Sequence, residues 1–425
     1  MYNAVAAEDF GKPTVVLANR GFVTDARSAA SSKGLPGLRA LGETVTCEST
    51  VAENIEMGIS EVMDQIVAAL TRPLTLEEKT PSRPPEKLER IVFKGSYQEV
   101  SRFFYQRGWT DGLPIVPPTE EAVAEMLTGT DLAPDHLVTR IIPRLGKATV
   151  DKIAVNAVMA GCLPTYMPLL VTAAQALMDP RSRFDIYEVS TGSWAPFFAI
   201  NGPVRNGINI NCSSGMLSPG NIANSALGRA IGLMVRNIGG ARKGVEDMGV
   251  IGNPGKHSLV VGENEEESPW TPYHVEHGFG KGDSTMTLFL PNTFHQTIPR
   301  DTNAQGVADM MAGMGAGGLS AFILIPSHAN ILHAEGWTKK KLLDHIVKNT
   351  KLASPSSLGA PRLEPDPEET AIFVAGGPGA FCALLRSAGG KSMNGGFVSK
   401  KIELPKDWDK LVAKYKGIVP TYARY

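Results

Sequence analysis

"SAFILIPSHANIL", residues 320–332, passes from an apolar run into a helix start with no intervening loop. The run "SAFILIP" (320–326) predicts a strand, and a helix is expected from His328. The same alternation spreads outward in both directions. "TAIFVAGGPG" (370–379) reads as a buried strand ending in a glycine-rich turn, with a helix expected over "AFCALL" beyond it. "LVTRIIP" (137–143), "FDIYEVS" (184–190), "FFAING" (197–202), "KHSLVVGE" (256–263) and "STMTLFLP" (284–291) read as further strands. Helices are expected over 97–107, over 120–127 behind a Thr119 cap, and over 150–161 behind Thr149. Others should run from Pro164 to about 178, within 218–240, over 303–313, and after Thr338. Strands alternating with helices predict an α/β protein with a largely parallel or mixed sheet.

Nearer the N-terminus the pattern is smaller in scale. "PTVVLA" (13–18) and "PGLRALGET" (36–44) read as strands, with a helical pattern over 22–32 between them. Residues 51–70 form an amphipathic helix pattern, with Val51, Ile55, Ile59, Val62, Ile66 and Leu70 on one stripe. These elements predict a small flavodoxin-like βα piece over 1–71. Proline and charge over 72–95 predict a linker, and 96–425 a large α/β domain that bears the site. The chain opens almost on its first strand, with no element expected before it.

Across 425 residues, hydrophobic content is 43% and the net charge is −1, a soluble globular composition with no field to attract nucleic acid or an anionic membrane. The longest apolar stretch, "MPLLVTAAQALM" (167–178), is too short to span a bilayer. Cys47, Cys162, Cys212 and Cys382 lie far apart without a CxxC pair, which fits reduced thiols in a cytoplasmic protein. No signal peptide is expected from the opening residues.

The densest chemistry lies in "GENEEESPWTPYHVEHGF" (262–279). His274 and His277 share a face if the segment is helical, and Glu263 could complete a divalent metal site with them. Glu276 and His274 are the acid–base candidates. The competing reading is an acidic loop whose histidines are partnered by its own carboxylates. "NCSSGMLSPGN" (211–221) leads into a helix N-terminus, where Ser213, Ser214, Ser218 and Asn221 could hold a substrate carboxylate. Its competitor is a plain tight turn with Cys212 as a small buried thiol. His328, just beyond a strand, is placed for acid–base work, or else for a capping turn. Asp111 in "GWTDGLPIVPPT" is either an acid or a turn residue bonded to its own backbone. Arg229 is either a carboxylate binder or a solvent-facing helix residue. "VAGGPG" is not a dinucleotide fingerprint, so no nucleotide cofactor is expected; its glycines permit close approach of backbone to a ligand or partner.

Taken together, "GKPTVVLANRGFVTDARSAASSKGLPGL", "DQIVAALTRP", "GWTDGLPIVPPT", "AVNAVMAGCLPTYMPLL", "GENEEESPWTPYHVEHGF", "PSHANIL…GWTKKKL" and "VAGGPG" resemble the UGSC family of (seleno)proteins, distantly linked to the selenol/thiol subunits of glycine and proline reductases. That family carries a Sec/Cys-Gly-Ser-Cys motif upstream of the strand matching "KPTVVLA"; here no such motif is found. "AGGPGAFCA" also departs from a related "AGGPGKHSA" pattern, with Ala380, Phe381 and Cys382 at the variable places. The resemblance implies an enzyme subunit that cleaves a carbon–heteroatom bond of a small carboxylated substrate. Its thiol or selenol would come from a small partner chain, making a hetero-oligomer. Two other readings stand beside it: a self-contained metal-dependent hydrolase or lyase such as a desulfhydrase, and a non-catalytic structural subunit.

Overall fold

The computed structural model describes residues 2–32, 34–44, 51–79, 89–350, 364–387 and 395–419; Cys47 lies outside them. In the N-terminal piece, β1 (Val15–Asn19) pairs in parallel with β2 (Arg39–Glu43). The helix Val23–Ser32 connects them, and the helix Ala52–Thr71 follows at the expected place. Of its apolar stripe Val62 is buried, whereas Val51 and Leu70 are exposed. Two expectations need correction. A helix, Tyr2–Asp9, precedes β1, and Glu8 ties it back by accepting from the Thr14 backbone at 2.7 Å. The start of the expected linker is also folded. The short helix Leu76–Lys79 places Glu78 on Arg39 at 3.1 Å.

Next in the chain, β3 (Leu137–Ile141) and β4 (Gly146–Thr149) form a two-stranded antiparallel pair. The remaining strands build two four-stranded sheets. One contains β5 (Phe197–Asn201), β6 (Val260–Gly262), β7 (Thr285–Phe289) and β12 (Val398–Lys401), in the order β12–β7–β5–β6. The other contains β8 (Thr293–Thr297), β9 (Ser320–Leu324), β10 (Thr370–Val374) and β11 (Cys382–Arg386), in the order β10–β9–β11–β8. Both are mixed: β5–β6 and β9–β10 are parallel, while β5–β7, β12–β7, β11–β9 and β11–β8 are antiparallel.

Side-chain alternation along each strand explains how the sheets stack. In the first sheet, Phe198, Ile200, Val260, Met286 and Leu288 face the helices Val150–Ala160, Met167–Leu177 and Ile222–Asn237. The alternate residues Phe197, Ala199, Val261 and Phe289 pack against Ala321, Ile323, Ala371, Phe373 and Leu385 of the second sheet. That sheet turns Phe322, Leu324, Ile372, Val374 and Leu384 toward the helices Ala304–Gly313, Pro326–Ala334 and Lys339–Asn349. The result is four layers: helix, sheet, sheet, helix. β5, β7, β9 and β10 are covered on both faces, so every residue along them is buried rather than every second one.

"FDIYEVS" is not a strand; its first residues form the helical turn Phe184–Tyr187. "AFCALL" is not a helix, because Cys382–Arg386 inserts between β8 and β9 as β11. Thr119 and Thr338 cap their helices with side-chain oxygens, while Thr149 occupies its cap position without a side-chain bond. No described helix is long and apolar enough to cross a membrane.

Candidate functional site

The 262–279 segment leaves the carboxyl end of β6 and crosses to the second sheet. Glu263 N–H donates to Ile200 O of β5, and Asn264 N–H donates to Val374 O at the end of β10. The Trp270 indole then donates to Trp337 O at 3.1 Å, and Lys339 donates to Thr271 O and to Glu276 at 2.8 and 2.9 Å. The segment is therefore a strap across the two sheets, anchored by buried residues at 262–264 and 273–274, with Glu266, Glu267, Glu276 and His277 on its exposed side.

Four of its acids, Glu263, Glu265, Glu266 and Glu276, are paired with Arg205 or Lys339. Glu263 and His274 are fully buried. Asn201 donates to Glu263 at 2.6 Å and to Glu265 at 3.1 Å. Arg205 pairs with Glu265 and Glu266 at 3.2 and 3.1 Å. Burial pushes the Glu263 carboxyl up, against the pull of Lys339 at 3.8 Å and of the Asn201 and Tyr273 donors. His274 Nδ1 lies 3.9 Å from Glu265, beyond hydrogen-bond reach. Both ring nitrogens of His274, with Glu263 Oε1, Asn201 Oδ1 and Thr285 Oγ1, are buried without a hydrogen-bond partner.

The proposed metal ligands Glu263, His274 and His277 do not converge as a trio. His277 stacks on Tyr273 at 3.9 Å, and its Nδ1 sits 2.8 Å from Tyr273 O. Among the described residues no group of three His, Cys, Asp or Glu side chains stands where it could hold a metal ion. Glu276 is the ion-pair partner of Lys339.

A cavity of about 310 Å³ opens where β9 and β10 end and β11 begins. Two turns wall it, one carrying Ser213, Ser214 and Ser218 and the other running from Gly376 to Gly379. The first turn is shaped by two buried asparagines. Asn211 accepts from Ser213 N–H and donates to Ser214 O, while Asn224 donates to Asn211 O, Met216 O and Val260 O. The second turn lies directly on the first: Gly376 N–H donates to Cys212 O at 2.9 Å, and any Cβ on Gly377 would strike Ser214. These glycines thus serve close backbone approach between the two turns. Gly376 also has a φ of 105°, a conformation that side chains disfavour.

Cys382 lines this cavity, and its Sγ lies 3.1 Å from His328 Nδ1. Both residues are buried. Burial pushes the thiol up to about 11 and lowers the imidazole, so the pair rests neutral near pH 7. The sequence places His328 beyond a strand end but gives no sign of its partner, which comes from a strand where the local pattern predicts a helix. Burial also raises the Cys162 and Cys212 thiols, against opposing arginine charges.

Three other sequence candidates lie elsewhere. Asn221 caps the helix Ile222–Asn237 by accepting from Asn224 N–H, and donates to Asn209 O, so both ends of its amide are engaged structurally. Arg229 grips Asp111 at 2.7 and 3.0 Å and Pro114 O at 2.7 Å. Burial opposes ionisation of Asp111, but the hydrogen bonds and charge of Arg229 hold its carboxyl below the usual range.

Asp111 and Arg229 line a second cavity, of about 740 Å³, with Glu188, Lys256 and His257. Burial pushes Glu188 up to about 7 despite Lys256 at 3.8 Å. Glu188 is not legible in the sequence, because only the helical turn Phe184–Tyr187 carries it inward, where the local pattern predicts a strand.

Residues 1–72 match the family model described as UGSC family. No curated protein and no solved structure matches the chain.

Proposed function

From an N-terminal segment assigned to the UGSC family, we propose that this chain is an enzyme subunit cleaving a carbon–heteroatom bond, C–S, C–N or similar, of a small carboxylated molecule. The observation that supports this reading is the cavity between the 213–218 and 376–379 turns. It lies outside the carboxyl ends of β9 and β10, where open α/β sheets bind ligands. The serine hydroxyls supply donors for a carboxylate, and the His328–Cys382 pair supplies a group that takes or returns a proton. In this reading a thiolate or selenolate nucleophile arrives from a second polypeptide, because burial disfavours a standing thiolate on the described cysteines of this chain.

The test is to purify the complex from its own host and measure release of sulfide or ammonia from α-substituted carboxylates, with dithiothreitol as reductant. Release that requires the carboxylate and disappears in Ser213→Ala/Ser214→Ala supports the proposal. No release from any such substrate, with the co-purifying proteins retained, removes it.

A self-contained metal-dependent hydrolase or lyase is the second reading. It is favoured by the buried atoms of Glu263, His274, Asn201 and Thr285 that lack a hydrogen bond, since buried polar atoms ordinarily make one. A divalent ion held there would supply an activated water. Metal analysis of protein prepared without chelator, compared with His274→Ala, decides it: a stoichiometric ion lost in the variant supports this reading, and none in either preparation ends it.

A further inference from the structure

We infer that Cys382 is a nucleophilic thiol in its own right, activated by His328, and forms a covalent adduct with small electrophilic carboxylates that enter the cavity beside it. The inference rests on the reading that this cavity takes carboxylates. It adds a thiol in this chain to the one that reading brings from a partner.

Three observations carry it. Cys382 opens β11 at the end of the sheet where β9 and β10 finish, so the fold delivers it to the crevice and not to the middle of a layer. The helix Pro326–Ala334 begins directly after β9, which sets His328 one turn in, with Nδ1 3.1 Å from Sγ. That is the contact a general base needs to take a thiol proton. The same cavity is lined by Ser213 and Ser214, fixed by Asn211 and by the abutting Gly377.

With His328 in the tautomer protonated at Nε2, Nδ1 accepts the Sγ proton. The sulfur lone pair attacks the electrophilic carbon, a carbon–sulfur bond forms, and the carbon–heteroatom bond breaks. The leaving heteroatom departs with the bonding pair and takes the proton back from His328. Thiol and substrate become thioether or thioester and protonated leaving group, with no net oxidation. The neutral resting pair makes this a base-assisted attack, unlike that of a preformed thiolate, so its rate climbs with pH toward the thiol's own titration.

The test compares iodoacetate with iodoacetamide on the folded, full-length chain, reading each cysteine by peptide mass spectrometry. A free thiol has no reason to prefer the anionic reagent. At Cys382 iodoacetate is expected to react at least as fast as iodoacetamide, while buried Cys162 stays unmodified. His328→Gln should slow Cys382 labelling at pH 7 at least tenfold, as loss of a general base does. Ser213→Ala/Ser214→Ala should remove the preference for iodoacetate and leave the iodoacetamide rate unchanged. His328→Asn substitutes if His328→Gln does not melt at the parent's temperature.

Absence of labelling at Cys382 in the folded chain overturns the inference, as does a rate indifferent to both His328 replacements. A reaction with iodoacetamide alone overturns its carboxylate specificity. Protection of the fold by acetate, read as a rise in Tm that Ser213→Ala/Ser214→Ala abolishes, reports separately on the carboxylate cavity. Failure of Cys382 alone is thereby distinguished from failure of the functional reading.

Discussion

Lys339 and Glu263 face each other across 3.8 Å where the helix Lys339–Asn349 meets the carboxyl end of β6, and both side chains are almost wholly removed from solvent. The ammonium is at the same time 2.9 Å from Glu276. One lysine thus compensates two carboxylates that enter the protein on the same strap.

Lys339→Met should therefore destabilise the protein strongly. Removing one member of a buried ion pair leaves an uncompensated charge, at a cost of about 3–5 kcal/mol. Lys340→Met, at the exposed neighbouring position paired with Asp344, should change stability by less than about 1 kcal/mol. Urea unfolding of both variants checks the contrast; equal midpoints would mean that the strap is not held by Lys339.

Glu188 predicts a pH dependence. Its carboxyl is raised to about 7 in the folded chain from an ordinary value of 4.5, so between those values the native state holds a proton that the unfolded chain has released. The associated stability is complete below about pH 4.5 and is lost as pH rises through 7, by roughly 1.4 kcal/mol per pH unit and about 3 kcal/mol in all. Glu188→Gln removes the titration. Relative to the parent, it should gain stability steadily from pH 4.5 to pH 7.5 in parallel unfolding curves. A constant difference across that range refutes the assignment.

Gly377→Ala should injure the cavity specifically. Its methyl would meet Ser214, and overpacking of this kind costs about 1–3 kcal/mol. The two turns must separate to admit it, so carboxylate binding should weaken more than the fall in Tm alone accounts for. Gly313→Ala, where nothing lies near the added carbon, should leave binding unchanged.

Asp111→Asn tests the tie between the 108–116 loop and the helix Ile222–Asn237. The ion pair with Arg229 is mostly buried. Its loss should cost about 1.5–3 kcal/mol, the range for a hydrogen bond to a charged group. Because the Asp111 carboxyl is lowered, its contribution is present above the ordinary aspartate range and lost as pH falls through the folded value. Parent and variant should therefore converge in acid. Divergence there would contradict the pairing.

Local information made much of the fold legible. The strand–helix sequence at 320–334 follows from a short apolar run and a proline at the first helical position. Threonine caps fixed the starts at 120 and 339. The misread segments fail for one physical reason. "FDIYEVS" and "AFCALL" are short and apolar, and period alone does not separate a buried strand from a helical turn at that length. Cys382–Arg386 became β11 because a place between β8 and β9 satisfies its backbone bonds. The helix Tyr2–Asp9 carries almost no amphipathic signal and gave nothing to read.

The sequence by itself determined the α/β class, most element positions, and the chemical character of the 213–218, 262–279 and 376–379 segments. Those properties reside in side-chain period, capping residues and glycine placement, which act over a few residues. Only the tertiary structure decided that two sheets stack face to face, that the 262–279 segment straps them with Glu265 and Glu266 paired to Arg205 and Glu263 and Glu276 to Lys339, and that His328 meets Cys382. These are contacts between residues tens to more than a hundred positions apart. They arise from the competition to bury both faces of each sheet while pairing every charge carried inward, and that competition is settled by the whole chain together.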